Sequence, residues 1–251
     1  MSIIGIIPAR YGSTRFPGKP LAEIRGRPMI WHVYQRCLKA KLLDQLLVAT
    51  DDKRICQCVS AFGGRAVMTS KKHRSGTDRI AEALTKIETG SSKFGTIINI
   101  QGDEPLIDPR AIDLLARAMA EDRSLEMATL VGSFMDEKDL FSPNTAKVAA
   151  DEEDYALYFS RSVIPGRRGD SFRLFDYLKH IGIYAYRRET LLRLIKCPPS
   201  ALERIEKLEQ LRALGQGIRI KLLKTGYRPL AVDTPEDLAR INKMIRNQSF
   251  A

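Results

Sequence analysis

The chain has 251 residues, of which 44% are hydrophobic, 17 are glycine and 12 are proline. This composition is that of a globular protein, and it excludes a disordered or collagenous chain. The formal net charge is +11, but residues 1–80 hold 15 Lys and Arg against 5 Asp and Glu, so nearly all of the excess lies in the first third. Such a local excess indicates an anion-binding site at least as well as a nucleic-acid surface.

The four cysteines, at positions 37, 56, 58 and 197, do not form a disulfide framework. Cys56 and Cys58 are separated by one residue, which is too close for an ordinary disulfide or a redox pair. No apolar run reaches the roughly 18–20 residues of a membrane span. The apolar stretch 1–8 lacks the basic residues of a signal peptide. We therefore expect free thiols, no membrane insertion and a cytoplasmic location.

In chain order, short apolar runs alternate with apolar residues at helical spacing. The strands predicted in the first part are Ile3–Ile7, Leu46–Thr50, Ala66–Met68, Thr96–Ile100 and Met127–Phe134. The helices predicted among them are Met29–Leu38, Lys53–Phe62, Thr77–Ile87 and Pro109–Glu121. After about residue 145 the pattern changes, and it predicts the strands Tyr155–Ser160, Ile181–Tyr186 and Arg219–Leu223, a polar loop Gly166–Asp170, and the helices Thr190–Ile195, Ala201–Leu214 and Pro235–Ile245.

This alternation predicts an α/β fold in which helices cover a mostly parallel sheet. No internal repeat or low-complexity linker interrupts the sequence, so we expect a single domain. Ligands of such sheets bind beyond the carboxyl ends of the strands. The polar residues that follow Ile7, Thr50 and Ile100 are therefore expected on one rim of the molecule.

The strongest motif is IIPARYGSTRFPGKPL at positions 6–21, in which a buried strand leads into a loop with two glycines and three cations. The cations Arg10, Arg15 and Lys19, together with the backbone amides of such a loop, suit a polyphosphate. The loop is not a Walker P-loop, because five residues separate its glycines and Pro20 stands where Ser or Thr would bind magnesium. The alternative is a solvated basic turn, which the position directly after the first strand disfavours.

Two acidic groups are candidates for a metal site. Residues 101–104, with the sequence QGDE, follow a strand, and carboxylates that face a cationic phosphate loop suit Mg²⁺ bridging protein and phosphate. A Gly-Asp turn is the alternative for this group. Asp233 precedes a helix start at 234–237 and is a second candidate ligand for the same metal, although helix capping explains that cluster equally well.

These motifs bring the chain close to a known family. It resembles the 3-deoxy-manno-octulosonate (Kdo) cytidylyltransferases, which are CMP-sugar synthetases, over nearly its whole length. The blocks that carry the resemblance are IIPARYGSTRFPGKPL, VATDD, HRSGTDRIAE, NIQGDEPLI, YALYFSRSVIP, HIGIYAYR, LEQLR and VDTPEDL. The first block is shared with other sugar nucleotidyltransferases, whereas the later blocks together are much more specific.

The resemblance implies a fold, an organisation and a set of site residues. The fold would be a single-domain, Rossmann-like sheet of the nucleotide-diphospho-sugar transferase type, with residues 1–145 mainly nucleotide-binding, 146–232 mainly sugar-binding and dimer-forming, and 233–251 providing a metal ligand and a closing helix. The nucleotide-binding residues it implies are Arg10, Ser13, Arg15, Lys19, Arg74, Ser75, Gly76, Arg79 and Gln101, within a loop 73–79 that would hold cytosine. The sugar-binding residues it implies are Gln101, Arg161, His180, Tyr184, Glu209 and Gln210. The catalytic set would be Arg10, Lys19, Asp103 and Asp233, of which Asp103 and Asp233 would ligate Mg²⁺.

Without the resemblance, several of these residues have plainer interpretations. Glu209 and Gln210 fall in the predicted helix 201–214, whose apolar spacing places them on a solvated face. His180 beside a strand is more often structural than a ligand-binding group. Arg161 suits a carboxylate, because a guanidinium matches it with two hydrogen bonds.

The reaction that the resemblance implies is the transfer of CMP from CTP to Kdo for lipopolysaccharide biosynthesis, by a cytoplasmic homodimer. The closest alternative is a cytidylyltransferase for another sugar acid, such as 8-amino-Kdo or a sialic acid. The alternative from another class is a basic nucleic-acid-binding protein. It is disfavoured because only 7% of the residues are aromatic and no recognition-helix pattern is present.

Overall fold

A computed structural model describes residues 2–12, 15–73, 75–88, 93–166 and 173–246 of the chain. The strands are β1 (Ile3–Ala9), β2 (Glu23–Ile24), β3 (Arg27–Pro28), β4 (Gln45–Thr50), β5 (Ala66–Met68), β6 (Thr96–Asn99), β7 (Met127–Ser133), β8 (Lys147–Ala150), β9 (Ala156–Ser160), β10 (Leu178–Arg187) and β11 (Ile220–Lys224). The α-helices are α1 (Met29–Cys37), α2 (Lys53–Ala61), α3 (Gly76–Ile87), α4 (Pro109–Glu121), α5 (Glu137–Phe141), α6 (Arg188–Leu194), α7 (Ala201–Glu206), α8 (Gln210–Gly215) and α9 (Pro235–Arg246).

The chain divides into two compact units, the first comprising residues 1–113 and 229–251 and the second residues 114–228. In the first unit β1 pairs in parallel with β4 on one side and with β6 on the other, and β4 pairs in parallel with β5. Ile4, Ile6 and Ile7 of β1 are fully buried, as expected of a central parallel strand that is covered on both faces. The α/β fold with a mostly parallel sheet is thereby confirmed.

The shared register of this sheet explains where its functional loops lie. Ile6 is opposite Leu47 of β4 and Asn99 of β6, so the three strands run the same way and end close together. The loops that begin at Arg10, Asp51 and Gln101 therefore leave the sheet at one edge, as the sequence predicts.

The strands of the second unit pair in both directions. β7 pairs in parallel with β11 and antiparallel with β10, and β8 pairs antiparallel with both β10 and β9. Strand β8 and helix α5 were not predicted, and β10 extends beyond the predicted Ile181–Tyr186 at both ends. Most of the predicted loop Gly166–Asp170 lies outside the described residues.

One predicted helix is wrong. The sequence predicts a single helix Ala201–Leu214, whereas the structure has α7 and α8, separated by Lys207 in the left-handed conformation with φ 54°. The apolar spacing at positions 205, 208 and 211 therefore does not belong to one continuous helix. The other predicted helices are present, with ends that differ by one or two residues.

The C-terminal segment belongs to the first unit. Val232, Ile241 and Ile245 are buried together with Ile24 and Met29 in one hydrophobic cluster. The backbone nitrogen of Val232 also donates to the backbone oxygen of Asp103, over 2.9 Å. This packing places the next residue, Asp233, beside the loop that follows β6. No helix of the described residues is long and apolar enough to cross a membrane.

Candidate active site

A cavity of about 380 Å³ lies in the first unit, at the edge where β1, β4 and β6 end. Nine of the residues singled out in the sequence line it: Arg10, Arg15, Lys19, Ser75, Gly76, Arg79, Gln101, Asp103 and Asp233. The predicted residues Ser13 and Arg74 lie outside the described residues. The local concentration of positive charge in the first third of the chain is thus partly explained, because four cations face this one cavity.

The loop after β1 is held by its own backbone and by a stacked pair of side chains. The nitrogen of Gly18 donates to the oxygen of Tyr11 over 2.9 Å, and Gly18 has φ 72°, which favours glycine. A Cβ at Gly18 would lie only 3.2 Å from the Tyr11 ring. On this ring stacks the Arg54 guanidinium, 3.4 Å from the ring centre. Arg54 in turn makes two hydrogen bonds to Asp52, the N-cap of α2, and these hold the pKa of Asp52 at about 2.

The loop after β6 approaches the end of β1 so closely that a glycine is required. A Cβ at Gly102 would lie 2.7 Å from the backbone oxygen of Pro8, a distance that no side chain tolerates. Gly102 therefore allows Asp103 to lie beside the end of β1. The QGDE group is thus more than a turn, because its first three residues line the cavity.

Two carboxylates and two cations meet in the cavity. The Lys19 ammonium lies 2.8 Å from Asp103 Oδ2 and 3.2 Å from Asp233 Oδ1. An Arg15 nitrogen lies 3.3 Å from the same Asp233 oxygen. Asp103 and Asp233, which are 130 positions apart in the sequence, therefore both contact one cation.

This pair of carboxylates fits Mg²⁺ better than a transition metal. No group of three or more His, Cys, Asp or Glu side chains in the described part of the chain is arranged to hold a metal ion by itself. Mg²⁺ is characteristically held by one or two protein carboxylates, with phosphate oxygens and water completing the octahedron. The ammonium that bridges Asp103 and Asp233 also shows that their oxygens converge on one position where a cation is stable.

The opposite wall of the cavity is the start of α3 and the segment before it. Ser75 is the N-cap of α3, and its side chain accepts from the backbone nitrogen of Asp78 over 3.1 Å. A Cβ at Gly76 would lie 3.3 Å from the Pro8 ring, so the helix begins close to the end of β1. The buried Arg79 guanidinium is fixed by Thr69 at 2.6 Å and by Asp51 at 2.9 Å.

Glu82, on the second turn of α3, organises the segment before the helix. It accepts hydrogen bonds from the His73 ring and from the backbone nitrogen of Ser70, and it pairs with Lys86. Burial alone would raise the pKa of Glu82, but the bonds from Lys86, Ser70 and His73 outweigh it and hold this pKa at about 2. The HRSGTDRIAE block contains Glu82, but the sequence assigned it no role.

Two of the predicted sugar-binding residues lie in an aromatic cluster of the second unit. The His180 ring lies edge-on to Phe159, with centres 5.1 Å apart, and 5.4 Å from the Tyr184 ring. Its Nε2 is 3.2 Å from Thr129 Oγ1, which donates its hydrogen to backbone oxygens such as that of Ile183 at 2.8 Å. Nε2 therefore acts as the donor to Thr129, and burial, which lowers the pKa of the ring, keeps it neutral. Burial lowers the pKa of His180 to about 3 and raises that of Tyr184.

The position of Gln210 differs from the expectation that this residue lies on a solvated helix face. Because the helix breaks at Lys207, Gln210 begins α8 and is buried, with 6% of its surface exposed. Its Nε2 has no hydrogen-bond partner among the described residues. Glu209 is the N-cap of α8 with a side chain that is 31% exposed, and its charge contributes to the raised pKa of Tyr184. An unsatisfied buried donor is costly, and such a group is typical of a ligand site.

Arg161, which the sequence predicts to meet a sugar carboxylate, donates to backbone oxygens in the second unit. Its Nε donates to the backbone oxygen of Glu206 over 2.8 Å, and its Nη1 donates to the oxygen of Pro143 over 2.9 Å. The Glu206 carboxylate accepts from the backbone nitrogen of Arg161 and from Ser160 Oγ. Arg161 thus joins the end of β9 to the end of α7, and a ligand carboxylate at its guanidinium would compete with these backbone oxygens. No local sequence signal predicts this pairing. The same is true of the buried Lys147, whose ammonium donates to three backbone oxygens, including that of Arg161.

Known proteins resemble the whole of this chain. The family model for cytidylyltransferases matches residues 4–220. A 3-deoxy-manno-octulosonate cytidylyltransferase from Geotalea daltonii is 49% identical over 99% of this chain and 100% of its own length. A solved CMP:2-keto-3-deoxy-manno-octonic acid synthetase complexed with CTP is 43% identical, covers 98% of this chain and 99% of its own, and superposes with a TM-score of 0.91. A structure of a glucose-1-phosphate thymidylyltransferase from Bacillus anthracis, 18% identical with a TM-score of 0.66 over 100% of this chain and 98% of its own, shares the fold. The chain belongs to the 3-deoxy-manno-octulosonate cytidylyltransferase family.

Proposed function

We propose that the protein transfers CMP from CTP to Kdo, forming CMP-Kdo and pyrophosphate for lipopolysaccharide biosynthesis. Support comes from the relatives named for this substrate, one of them solved with CTP, which match the chain from end to end. The observation on the chain itself that carries the proposal is the cavity in which Arg10, Arg15 and Lys19 face Asp103 and Asp233.

The cationic loop is proposed to bind the triphosphate. Phosphoryl transfer requires neutralisation of charge on the phosphate oxygens and in-line placement of nucleophile and leaving group. The positive charge comes from Arg10, Arg15 and Lys19. The contacts of Tyr11 with Gly18 and Arg54 keep their loop in place. Ser13 belongs to the same loop and is proposed to contact the phosphates as well.

Asp103 and Asp233 are proposed to hold Mg²⁺, which would supply charge neutralisation at the triphosphate when bound. Their oxygens already converge on one cation, the Lys19 ammonium. The chain's own contribution is to fix the two carboxylates, one through Gly102 and the other through the hydrogen bond of Val232 to the backbone of Asp103.

The remaining wall is proposed to bind cytosine, with Arg74, Ser75, Gly76 and Arg79 around the base and Gln101 between base and sugar. The acceptor is proposed to contact Arg161, His180, Tyr184, Glu209 and Gln210. Its anomeric hydroxyl attacks the α-phosphorus while the bond from that phosphorus to the pyrophosphate oxygen breaks. No covalent enzyme intermediate is formed. We expect the enzyme to act as a cytoplasmic homodimer.

The test compares the turnover of different nucleotide and sugar-acid substrates in all combinations. Each of the four nucleoside triphosphates is supplied with Mg²⁺ and with Kdo, 8-amino-Kdo or a sialic acid, and pyrophosphate release and product mass are measured. We expect turnover with CTP and Kdo, lost in Asp103→Asn and in Asp233→Asn and lowered by about 10²-fold in Lys19→Ala. Lys224→Met, which breaks an exposed ion pair with Asp154, is the control that should keep full activity. A higher kcat/KM with another sugar acid would reassign the acceptor, and normal Mg²⁺-dependent turnover by either aspartate variant would remove that residue from the metal site.

A further inference from the structure

Lys19 is in contact with the very oxygens that are proposed to bind the metal. Its ammonium bridges Asp103 Oδ2 and Asp233 Oδ1, and only 15% of the Lys19 side chain is exposed. With Arg15 on Asp233 as well, two positive and two negative groups balance one another. The carboxylate pair therefore has little net charge to offer a free divalent cation.

An ammonium and a magnesium ion compete for the negative charge of these two oxygens. Mg²⁺ binds carboxylate oxygens at about 2.0–2.1 Å, so an ion held by both would lie within about 5 Å of the ammonium that is 2.8 and 3.2 Å from the same oxygens. Their mutual repulsion at such a distance is strong in a partly buried site. Departure of the Lys19 ammonium from the carboxylates therefore favours metal binding.

The backbone around Lys19 leaves the side chain as the part that can move. Lys19 begins a short 3₁₀ helix, Lys19–Leu21, in which its own nitrogen donates to Phe16 and the nitrogen of Leu21 donates to Gly18 over 2.8 Å. The flexible stem of a lysine can swing its ammonium through several ångströms about such a fixed backbone. A triphosphate in the same cavity offers it a more negative partner than the two carboxylates.

We infer that the Lys19 ammonium occupies the metal-binding carboxylates of the free enzyme and moves to the phosphates when a nucleotide binds. Tight metal binding then requires bound nucleotide. This role rests on the proposed function. It also differs from a simple phosphate contact, because it makes Lys19 an inhibitor of metal binding in the free enzyme. Loss of the ammonium should therefore improve metal affinity while it impairs turnover.

The experiment measures binding of Mn²⁺, as a probe for Mg²⁺, to nucleotide-free protein by the electron paramagnetic resonance signal of the free ion. We expect Lys19→Met to bind Mn²⁺ about tenfold more tightly than the unaltered protein, since a competing positive charge is gone. Lys19→Arg retains the charge and should gain much less. Lys224→Met, the same substitution at another lysine with an aspartate 2.8 Å away, should match the unaltered protein.

Two results would overturn the inference. One is Mn²⁺ affinity in Lys19→Met that equals or falls below that of the unaltered protein, with a native circular dichroism spectrum. The other is a gain that persists in the double variant Lys19→Met with Asp103→Asn, because the ion would then bind elsewhere. The proposed function is judged separately, by product formation from CTP and Kdo, so failure of one does not imply failure of the other.

Discussion

The neutral state of His180 gives a prediction whose size follows from the structure. The ring lies between Phe159 and Tyr184 and donates to Thr129, and burial lowers its pKa from 6.5 to about 3. In the unfolded chain the same histidine takes up a proton near pH 6.5, so acid favours unfolding. Because folding keeps this base neutral, the stability of the protein is unaffected above about pH 6.5 and falls as the pH is lowered toward 3.

At pH 5 this effect lowers the free energy of unfolding by about 2 kcal/mol. The reason is that pH 5 lies about 1.5 units below the pKa of the unfolded histidine, and each unit contributes about 1.4 kcal/mol while the folded histidine stays neutral. Replacement of His180 by Phe keeps a ring in the cluster and removes the titrating group. The loss of unfolding free energy between pH 7.5 and pH 5 should therefore be about 2 kcal/mol smaller in His180→Phe than in the unaltered protein. Tyr184→Phe is the matched control, since it perturbs the same cluster but removes no group that titrates in this range.

Two measurements decide the matter. Urea denaturation at both pH values gives the stability difference, and proton–carbon NMR of the three histidine rings follows their protonation directly. The His180 resonance, assigned from the variant, should not move between pH 8 and pH 5. A titration midpoint near 6.5, or an identical loss of stability in the protein and in His180→Phe, would refute the reasoning.

Three further predictions follow from single contacts. Gln210→Leu should raise the acceptor KM by about tenfold and leave the CTP KM unchanged, because a buried donor that awaits a ligand is removed; the opposite pattern would place Gln210 at the nucleotide. Arg54→Ala should raise the CTP KM several-fold with little change in the acceptor KM, since it removes the stack that holds Tyr11, worth about 0.5–1 kcal/mol; an unchanged CTP KM would show that the stack is dispensable. Glu82→Gln should reduce by about 2 kcal/mol the stability lost between pH 5 and pH 3, because the pKa of Glu82 is about 2 when folded and 4.5 otherwise; equal acid denaturation profiles of variant and unaltered protein would contradict it.

Much of the first unit is predictable from local sequence. Apolar runs such as Ile3–Ile7 and helical spacings such as Met29–Leu38 are short-range patterns, and the structure confirms them within two residues. The rule that parallel strands end at one edge then places the loops that begin at Arg10 and Gln101 together. The sequence alone predicts the cationic loop after β1, whereas it does not predict Arg54 and Asp52, the residues that hold this loop.

The second unit shows where local patterns fail. The spacing through positions 201–214 suits one helix, because a left-handed residue such as Lys207 has no apolar signature. Contacts from a distant strand stabilise the break, as Arg161 donates to the backbone of Glu206, 45 positions away. Burial of Gln210 is a consequence of that break, and so the solvated face was the wrong interpretation.

The sequence by itself determined the order of strands and helices, the cationic loop and, through its blocks, the family. Tertiary structure decided which distant side chains share a site and in what state. Asp103 and Asp233 meet because Val232 packs with Ile24 and Met29 and bonds to the Asp103 backbone, and no spacing between positions 103 and 233 encodes this. The physical reason is that periodicity reports contacts within a few residues, whereas charge pairing and burial depend on neighbours that only the folded chain brings together.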